Sequence, residues 1–151
     1  MDPGMLQRQY VELMQASFQE NLLDDQFSQL QQLQDPTNPD FVAEVVSLFF
    51  EDSEKLLNDL SKTFEHNPMN FKQIDAYVHQ FKGSSASIGA ARVKALCVAF
   101  RAYCEEENRD GCWQCLQQVK REFFLVKTRL QALLQLEEKI IAAGGTVPLL
   151  E

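Results

Sequence analysis

Long apolar runs are missing from this 151-residue sequence, and no hydrophobic stretch approaches the roughly 18 residues of a membrane-spanning helix. The first ten residues, MDPGMLQRQY, lack the basic and apolar regions of a signal peptide. Basic residues are few, with 14 lysines and arginines against 22 acidic residues and a formal net charge of −8. This balance argues against nucleic acid or an anionic membrane as the main partner, although it does not exclude a local basic patch. We therefore expect a soluble intracellular protein.

Closely spaced cysteine pairs are also scarce. Cys97 and Cys104 are seven residues apart, which puts them on one helix face and predicts buried core thiols. The stretch CWQC would suggest a redox pair only in a βαβ context, of which this sequence gives no sign. A zinc site would need a second close pair to match Cys112 and Cys115. We expect neither a metal site nor a disulfide.

Sustained apolar–polar alternation of the strand type is absent as well, and the apolar spacing is helical throughout. With 45% hydrophobic residues, the chain is expected to form one all-α domain. We predict six helices, over about 5–21, 24–33, from Pro39 with Asn38 as cap, 71–88, 91–107 and 112–143. Short connections predict that the last four form an antiparallel four-helix bundle, capped at one end or side by the first two.

Two helices carry the clearest apolar faces. On the third helix the predicted face is Val42, Val45, Phe49, Leu56, Leu60 and Phe64. On the sixth it is Leu116, Val119, Phe123, Val126, Leu130, Leu133 and Ile140, spaced mostly by alternating three and four residues. This spacing is typical of the seam of a helical bundle.

The fourth helix contains the stretch VHQFKGSSASIG, which places a glycine and several serines in its interior. Glycine costs a helix about 1 kcal/mol relative to alanine, so its presence needs a reason. Three- and four-residue steps put Ile74, Val78, Phe81, Ser85 and Ile88 on an inward face, and His79, Lys82, Gly83 and Ala86 on another. Because the second face carries a lysine and little apolar bulk, we expect His79 to be exposed.

Gly83 lies four residues after His79, and helical side chains lean toward the N-terminus. Any side chain at position 83 would therefore cover the imidazole, and glycine leaves it bare. Lys82 is close enough to bring a cation to whatever His79 carries. Ser84 and Ser85 are small and would let a neighbouring helix approach. The alternative is that His79 is an ordinary surface residue without a function, as most single histidines on helices are. The other histidine, His66, has no neighbouring lysine and glycine of this kind.

The stretch HQFKGSSASIGAARVKALC resembles the signature of histidine-containing phosphotransfer proteins, in which a histidine is followed by x-x-Lys-Gly-Ser-Ser. The stretch FRAYCEEENRDGC is similar to the plant members, which act in cytokinin-type phosphorelays. The resemblance covers essentially the whole chain. It implies a helical bundle in which His79 accepts the phosphoryl group, with Lys82, Gly83 and the paired serines matching the rest of the motif. For such a protein we expect a location in the cytoplasm and nucleus.

The resemblance also implies the partners. A receiver domain of a hybrid histidine kinase would donate the phosphoryl group from an aspartyl phosphate, and the receiver of a response regulator would accept it. The sequence contains no P-loop or kinase motif and no acidic cluster beside His79. We therefore expect a monomeric carrier that binds neither ATP nor any cofactor, with Mg²⁺ supplied by the receiver.

Several further residues are predicted to shape the site. If the fourth and fifth helices form a hairpin near Gly89, Arg101 is level with His79 and approaches the phosphorylated imidazole, unless it is an ordinary solvated arginine. Gln80 directly follows His79 and is counted with the site. Leu22, Leu23 and Phe27 are candidates for an apolar receiver-docking surface, and the alternative is that they cap the bundle core.

Two other functions stay open at this point. One is a purely structural helical adaptor in which His79 is incidental, which acid-labile phosphorylation of His79 would exclude. The other is a hydrolase with His79 as general base, but the sequence offers no evident nucleophile or orienting group for it.

Overall fold

The computed structural model describes residues 2–149 and contains six α-helices in that range. They are α1 (Pro3–Gln19), α2 (Asp25–Leu33), α3 (Phe41–Thr63), α4 (Phe71–Ile88), α5 (Ala91–Glu105) and α6 (Arg109–Ala142). The described residues form no strand beyond one isolated bridge, between Asp35 and Asn38. The all-α prediction is therefore confirmed. Among the described residues, no helix is both long enough and apolar enough to cross a membrane.

Helices α3 to α6 form the bundle. Each packs against its two neighbours around the ring: α3 on α4, α4 on α5, α5 on α6, and α6 on α3. Helix α1 lies along α6, and α2 contacts α3 and α4. All seven predicted seam residues of α6 are buried, which confirms the seam. Near the centre, the ring of Phe123 packs against those of Phe49 and Phe81, at centroid distances of 5.8 and 6.3 Å.

Helix α3 begins later than predicted, so Asn38 is not its cap and Pro39 is not its first residue. The backbone N–H of Asn38 instead donates to the carbonyl of Asp35, 2.9 Å away, and closes a turn. In the first turn of α3, the free N–H of Val42 is satisfied by a residue before the helix: it donates to Gln34 Oε1 at 3.0 Å. The predicted face was also wrong at one position: Val46 is buried and Val45 only partly so.

Helix α6 starts three residues earlier than predicted, because Asn108 caps it by accepting the Gly111 N–H at 3.0 Å. Gly111 therefore lies inside the first turn of the helix and does not precede it. A Cβ there would come within 2.3 Å of the Tyr103 ring. Glycine at this position allows α5 and α6 to approach closely.

A buried polar chain joins α1 and α2 to α6. Gln31 Nε2 donates to the Tyr10 hydroxyl at 2.7 Å, and that hydroxyl donates to Glu137 Oε1 at 2.9 Å. Burial raises the pKa of Glu137 above its ordinary value of 4.5, although the bond from Tyr10 opposes the shift. Because the pKa of Glu137 is higher in the folded protein, its protonated carboxyl group stabilises the fold. This contribution to the free energy of unfolding is fully present below pH 4.5, the ordinary pKa. It is lost as the pH rises through the folded pKa.

We expect Glu137→Gln to remove this loss, since glutamine keeps an acceptor for Tyr10 and does not ionise. The melting temperature of the variant minus that of the wild type should therefore increase as the pH rises from about 4 through the folded pKa of Glu137. Melting curves of both proteins across this range test the prediction. A difference that stays constant with pH would contradict it, since the other carboxyl groups titrate in both proteins.

Candidate functional site

Helix α4 presents His79 near its middle. The helix is capped by Asn70, whose side chain accepts the Gln73 N–H at 3.1 Å, and it ends at Gly89, with φ of 84°. A left-handed residue of this kind favours glycine. The predicted inward face is confirmed, since all five of its residues are buried: Ile74, Val78, Phe81, Ser85 and Ile88. His79 lies on the opposite side and is exposed, also as predicted.

The α4–α5 hairpin brings Arg101 to His79. Its turn lies at Gly89 and Ala90, between Ile88 and Ala91. Arg101 Nη1 is 3.0 Å from His79 Nδ1, so the geometric prediction for this arginine is confirmed. The contact joins the outer faces of α4 and α5, and we call this side of the bundle the α4–α5 edge.

Asp75 completes the arrangement, and sequence reasoning missed it. Arg101 Nε donates to Asp75 Oδ1 at 3.0 Å, and Nη2 donates to Oδ2 at 3.4 Å. This bond raises the pKa of the Arg101 guanidinium above its ordinary value. Asp75 lies four residues before His79 on the same helix, so the signal was present in the spacing.

The contact with Arg101 fixes the proton of the neutral imidazole. A guanidinium only donates hydrogen bonds, so Nδ1 must be the acceptor. The proton of the neutral ring is then on Nε2. Among residues 2–149, nothing hydrogen-bonds Nε2. Nε2 is therefore the ring nitrogen that an incoming molecule can reach.

The other residues of the predicted site leave Nε2 accessible. Lys82 is half-buried and makes no ion pair or side-chain hydrogen bond with any described residue. Gln80 is exposed. A Cβ built on Gly83 would meet no atom within 4 Å apart from its chain neighbours and the backbone of its own helix, so packing against other helices does not require glycine there. This agrees with a glycine that keeps the histidine uncovered.

The two serines behave differently from each other. Ser84 is half-buried, and its hydroxyl donates to the carbonyl of Phe81 at 3.1 Å within the same helix. Ser85 is fully buried on the inward face, and its hydroxyl finds no partner among residues 2–149. Ser85 is therefore the serine whose small side chain lies within the bundle.

The prediction of an apolar docking surface at Leu22, Leu23 and Phe27 is wrong. All three side chains are buried, at 4%, 1% and 2% exposure. The reason is that α2 lies on α3 and α4, with Asp24 N–H donating to the carbonyl of Gly89 at 2.9 Å. Among the described residues of α4 and α5, the large apolar side chain that is exposed is that of Val98, at 52% exposure and one turn before Arg101.

All four cysteines are buried free thiols, which confirms the core assignment of Cys97 and Cys104. Burial raises the pKa of Cys97 to about 12. The sulfur atoms of Cys104 and Cys112 lie 3.8 Å apart, a thiol hydrogen-bond distance, and this contact raises the pKa of Cys104. Residues 2–149 contain no cluster of three or more histidine, cysteine or acidic side chains suited to a metal ion.

Family, sequence and structure comparisons all match this chain to histidine-containing phosphotransfer proteins. Residues 44–138 match the Hpt domain. Histidine-containing phosphotransfer protein 1 of Arabidopsis thaliana is 52% identical over 151 residues, covering all of this chain and 98% of that protein. A crystal structure of a histidine-containing phosphotransfer protein from Medicago truncatula has a TM-score of 0.88 and 55% identity, covering 93% of this chain and 96% of that one. A rice protein described as a putative histidine-containing phosphotransfer protein gives a TM-score of 0.85 at 44% identity, covering 90% of this chain and 98% of its own.

Proposed function

Since the chain belongs to the plant histidine-containing phosphotransfer family and is thus a phosphorelay intermediate, we propose that His79 is its phosphoryl-accepting residue. The donor is the receiver domain of a hybrid histidine kinase, and the acceptor is the receiver domain of a response regulator, in cytokinin signalling. The observation that carries the proposal is the exposed imidazole, whose Nε2 has no partner among residues 2–149.

The chemistry needs a nucleophile, in-line approach and charge neutralisation. With the proton of the neutral ring on Nδ1 at the moment of attack, the lone pair of Nε2 forms a bond to phosphorus and the ring becomes positively charged. The bond from phosphorus to the aspartyl oxygen of the donor breaks, and its electron pair stays on the released carboxylate. Arg101 is already at the imidazole, and Lys82 is one helical turn away. These two cations neutralise the phosphoryl oxygens.

The protein acts as a carrier and has no ATP-dependent kinase activity of its own. The groups proposed to surround the phosphoryl group are cations, and the nearby carboxylate of Asp75 is already engaged by Arg101. Such a set does not favour a bound Mg²⁺, which prefers oxygen ligands. The receiver domain therefore supplies the metal.

The receiver docks on the α4–α5 edge, because its aspartyl phosphate must reach Nε2. Val98 supplies exposed apolar area there, in place of the buried residues around α2. The protein is a monomer in this proposal, with the working histidine open to either receiver.

The proposal is tested by mixing the protein with a panel of phosphorylated receivers and following the label. We expect acid-labile, base-stable phosphorylation that maps to His79. Absence of labelling with every receiver would favour the structural adaptor instead.

Lys82→Ala and Arg101→Ala should each slow transfer on the order of 10- to 1,000-fold, as expected for the loss of one well-placed charge contact. Receiver docking should persist, because neither residue supplies its apolar area. Single-turnover transfer and receiver binding measure the two effects separately. Lys127→Ala is the matched control: Lys127 pairs with Glu54 between α3 and α6, on the far side of the bundle. Normal transfer in either site variant would remove that residue from the phosphoryl site.

A further inference from the structure

The carboxylate of Asp75 binds Arg101 and makes no hydrogen bond with the imidazole of His79. It holds Arg101 through two contacts, of 3.0 and 3.4 Å, while the same guanidinium holds His79 Nδ1 at 3.0 Å. Asp75 and His79 are also neighbours on one helix face, four residues apart. The Arg101 guanidinium thus lies between the Asp75 carboxylate and His79 Nδ1, the ring nitrogen that does not bond phosphorus.

This arrangement conflicts with the attack itself. Nε2 needs a free lone pair to bond phosphorus, so the proton of the neutral ring must then be on Nδ1. A protonated Nδ1 is a donor and cannot accept a hydrogen bond from Arg101. The guanidinium must therefore leave Nδ1 before or during the attack, and Nδ1–H then needs an acceptor.

We propose that Asp75 is that acceptor, and that Asp75 and Arg101 alternate at His79 Nδ1; the proposal rests on His79 as the phosphoryl-accepting residue. Before transfer, Arg101 donates to Nδ1. During transfer, Nδ1–H donates to the Asp75 carboxylate, and Arg101 is free to turn toward the phosphoryl oxygens.

The charge balance supports this exchange. When neutral imidazole with its proton on Nδ1 bonds phosphorus through Nε2, the ring acquires a positive charge, and the proton stays on Nδ1. A carboxylate hydrogen-bonded to Nδ1–H opposes that charge and fixes the ring orientation, as the aspartate of a Ser-His-Asp triad does. Asp75 acts through the imidazole and does not touch phosphorus, so it is a positioning residue.

The position of the ring proton tests the proposal without any transfer reaction. ¹⁵N NMR of labelled histidine, on the full chain with a neutral ring, should place the proton on Nε2 in the wild type. In Arg101→Ala the carboxylate is released, and the proton should move to Nδ1. Adding Asp75→Ala should reverse this move. Glu54→Ala, which removes a carboxylate from the Lys127 ion pair on the far side, should give the wild-type pattern.

A proton that stays on Nε2 in Arg101→Ala would overturn the proposal. So would a proton that stays on Nδ1 in the double variant. Asp75 is on the surface, with about a third of its side chain exposed, so the variants should fold. Asp75→Asn, which has nearly the same size, replaces the alanine variant if that protein fails to fold.

Transfer gives the second readout. Asp75→Ala should slow single-turnover uptake from a phosphorylated receiver on the order of 10- to 100-fold, the scale seen when a carboxylate that orients a metal-binding histidine is removed. Glu54→Ala should transfer at the wild-type rate. Normal uptake in Asp75→Ala would overturn the proposal. Failure of the wild type to take up phosphate would instead overturn the proposed function, and the NMR experiment would still decide whether Asp75 binds Nδ1–H.

Discussion

His79→Gln should abolish phosphoryl uptake and leave the fold and the melting temperature nearly unchanged. Glutamine offers no nucleophilic nitrogen at neutral pH, so the bond to phosphorus cannot form. The exposed ring of His79 contributes nothing to the core formed by Ile74, Val78 and Phe81. Surface substitutions of this kind usually change the stability by less than about 0.5 kcal/mol.

The matched control is His66→Gln, which changes the other exposed histidine, in the loop between α3 and α4. This variant should accept phosphate normally. Labelling of His79→Gln at the wild-type level would exclude His79 as the acceptor. A large drop in its melting temperature would mean that the contact with Arg101 carries much more of the stability than an exposed contact should.

Gly83 should show stability and function moving in opposite directions. Gly83→Ala should stabilise the protein by up to about 1 kcal/mol, because alanine suits a helix interior better. Apart from the adjoining backbone of α4, no atom lies within 4 Å of the added Cβ, so no clash offsets this gain. Gly83→Gln should reduce transfer sharply, because a long side chain at this position leans toward the N-terminus and covers His79.

Melting temperature and single-turnover transfer should be measured for both variants. Ala76→Gln is the control for the longer side chain, since position 76 is exposed on the same helix and its side chain leans away from His79. It should transfer normally. If Gly83→Gln also transfers at the wild-type rate, the glycine does not serve to uncover the histidine.

Local pattern was sufficient for α4 and for the α6 seam. The boundaries of α4 follow from a capping asparagine and a glycine, both of which act on adjacent backbone groups. The exposure of His79 follows from the periodicity of its own helix, because the apolar residues of α4 define the buried face and His79 lies outside it. The position of Arg101 opposite His79 followed from the short turn between α4 and α5. In such a hairpin, residues at equal distances from the turn lie side by side.

Local pattern failed where distant groups compete. The start of α3 depends on Gln34, whose side chain caps the helix from eight residues before Val42. The glycine at position 111 reads as a helix breaker in sequence, but it is required by the Tyr103 ring on the preceding helix. Periodicity could not decide whether the apolar side chains near α2 are exposed for docking or buried against the bundle. These are Leu22, Leu23 and Phe27.

The sequence by itself determined the helical class, the inward and outward faces of α4, and the motif that makes His79 a phosphoryl acceptor candidate. The helical class and the faces of α4 depend on periodicity and on interactions within one or two helical turns, whereas the acceptor role of His79 is implied by the resemblance of the motif to a known family. Only the tertiary structure decided that Asp75 and His79 share Arg101, and that α2 buries its apolar residues on α3 and α4. The physical reason is that these contacts depend on distances between separate helices, which are set by the packing of the whole bundle.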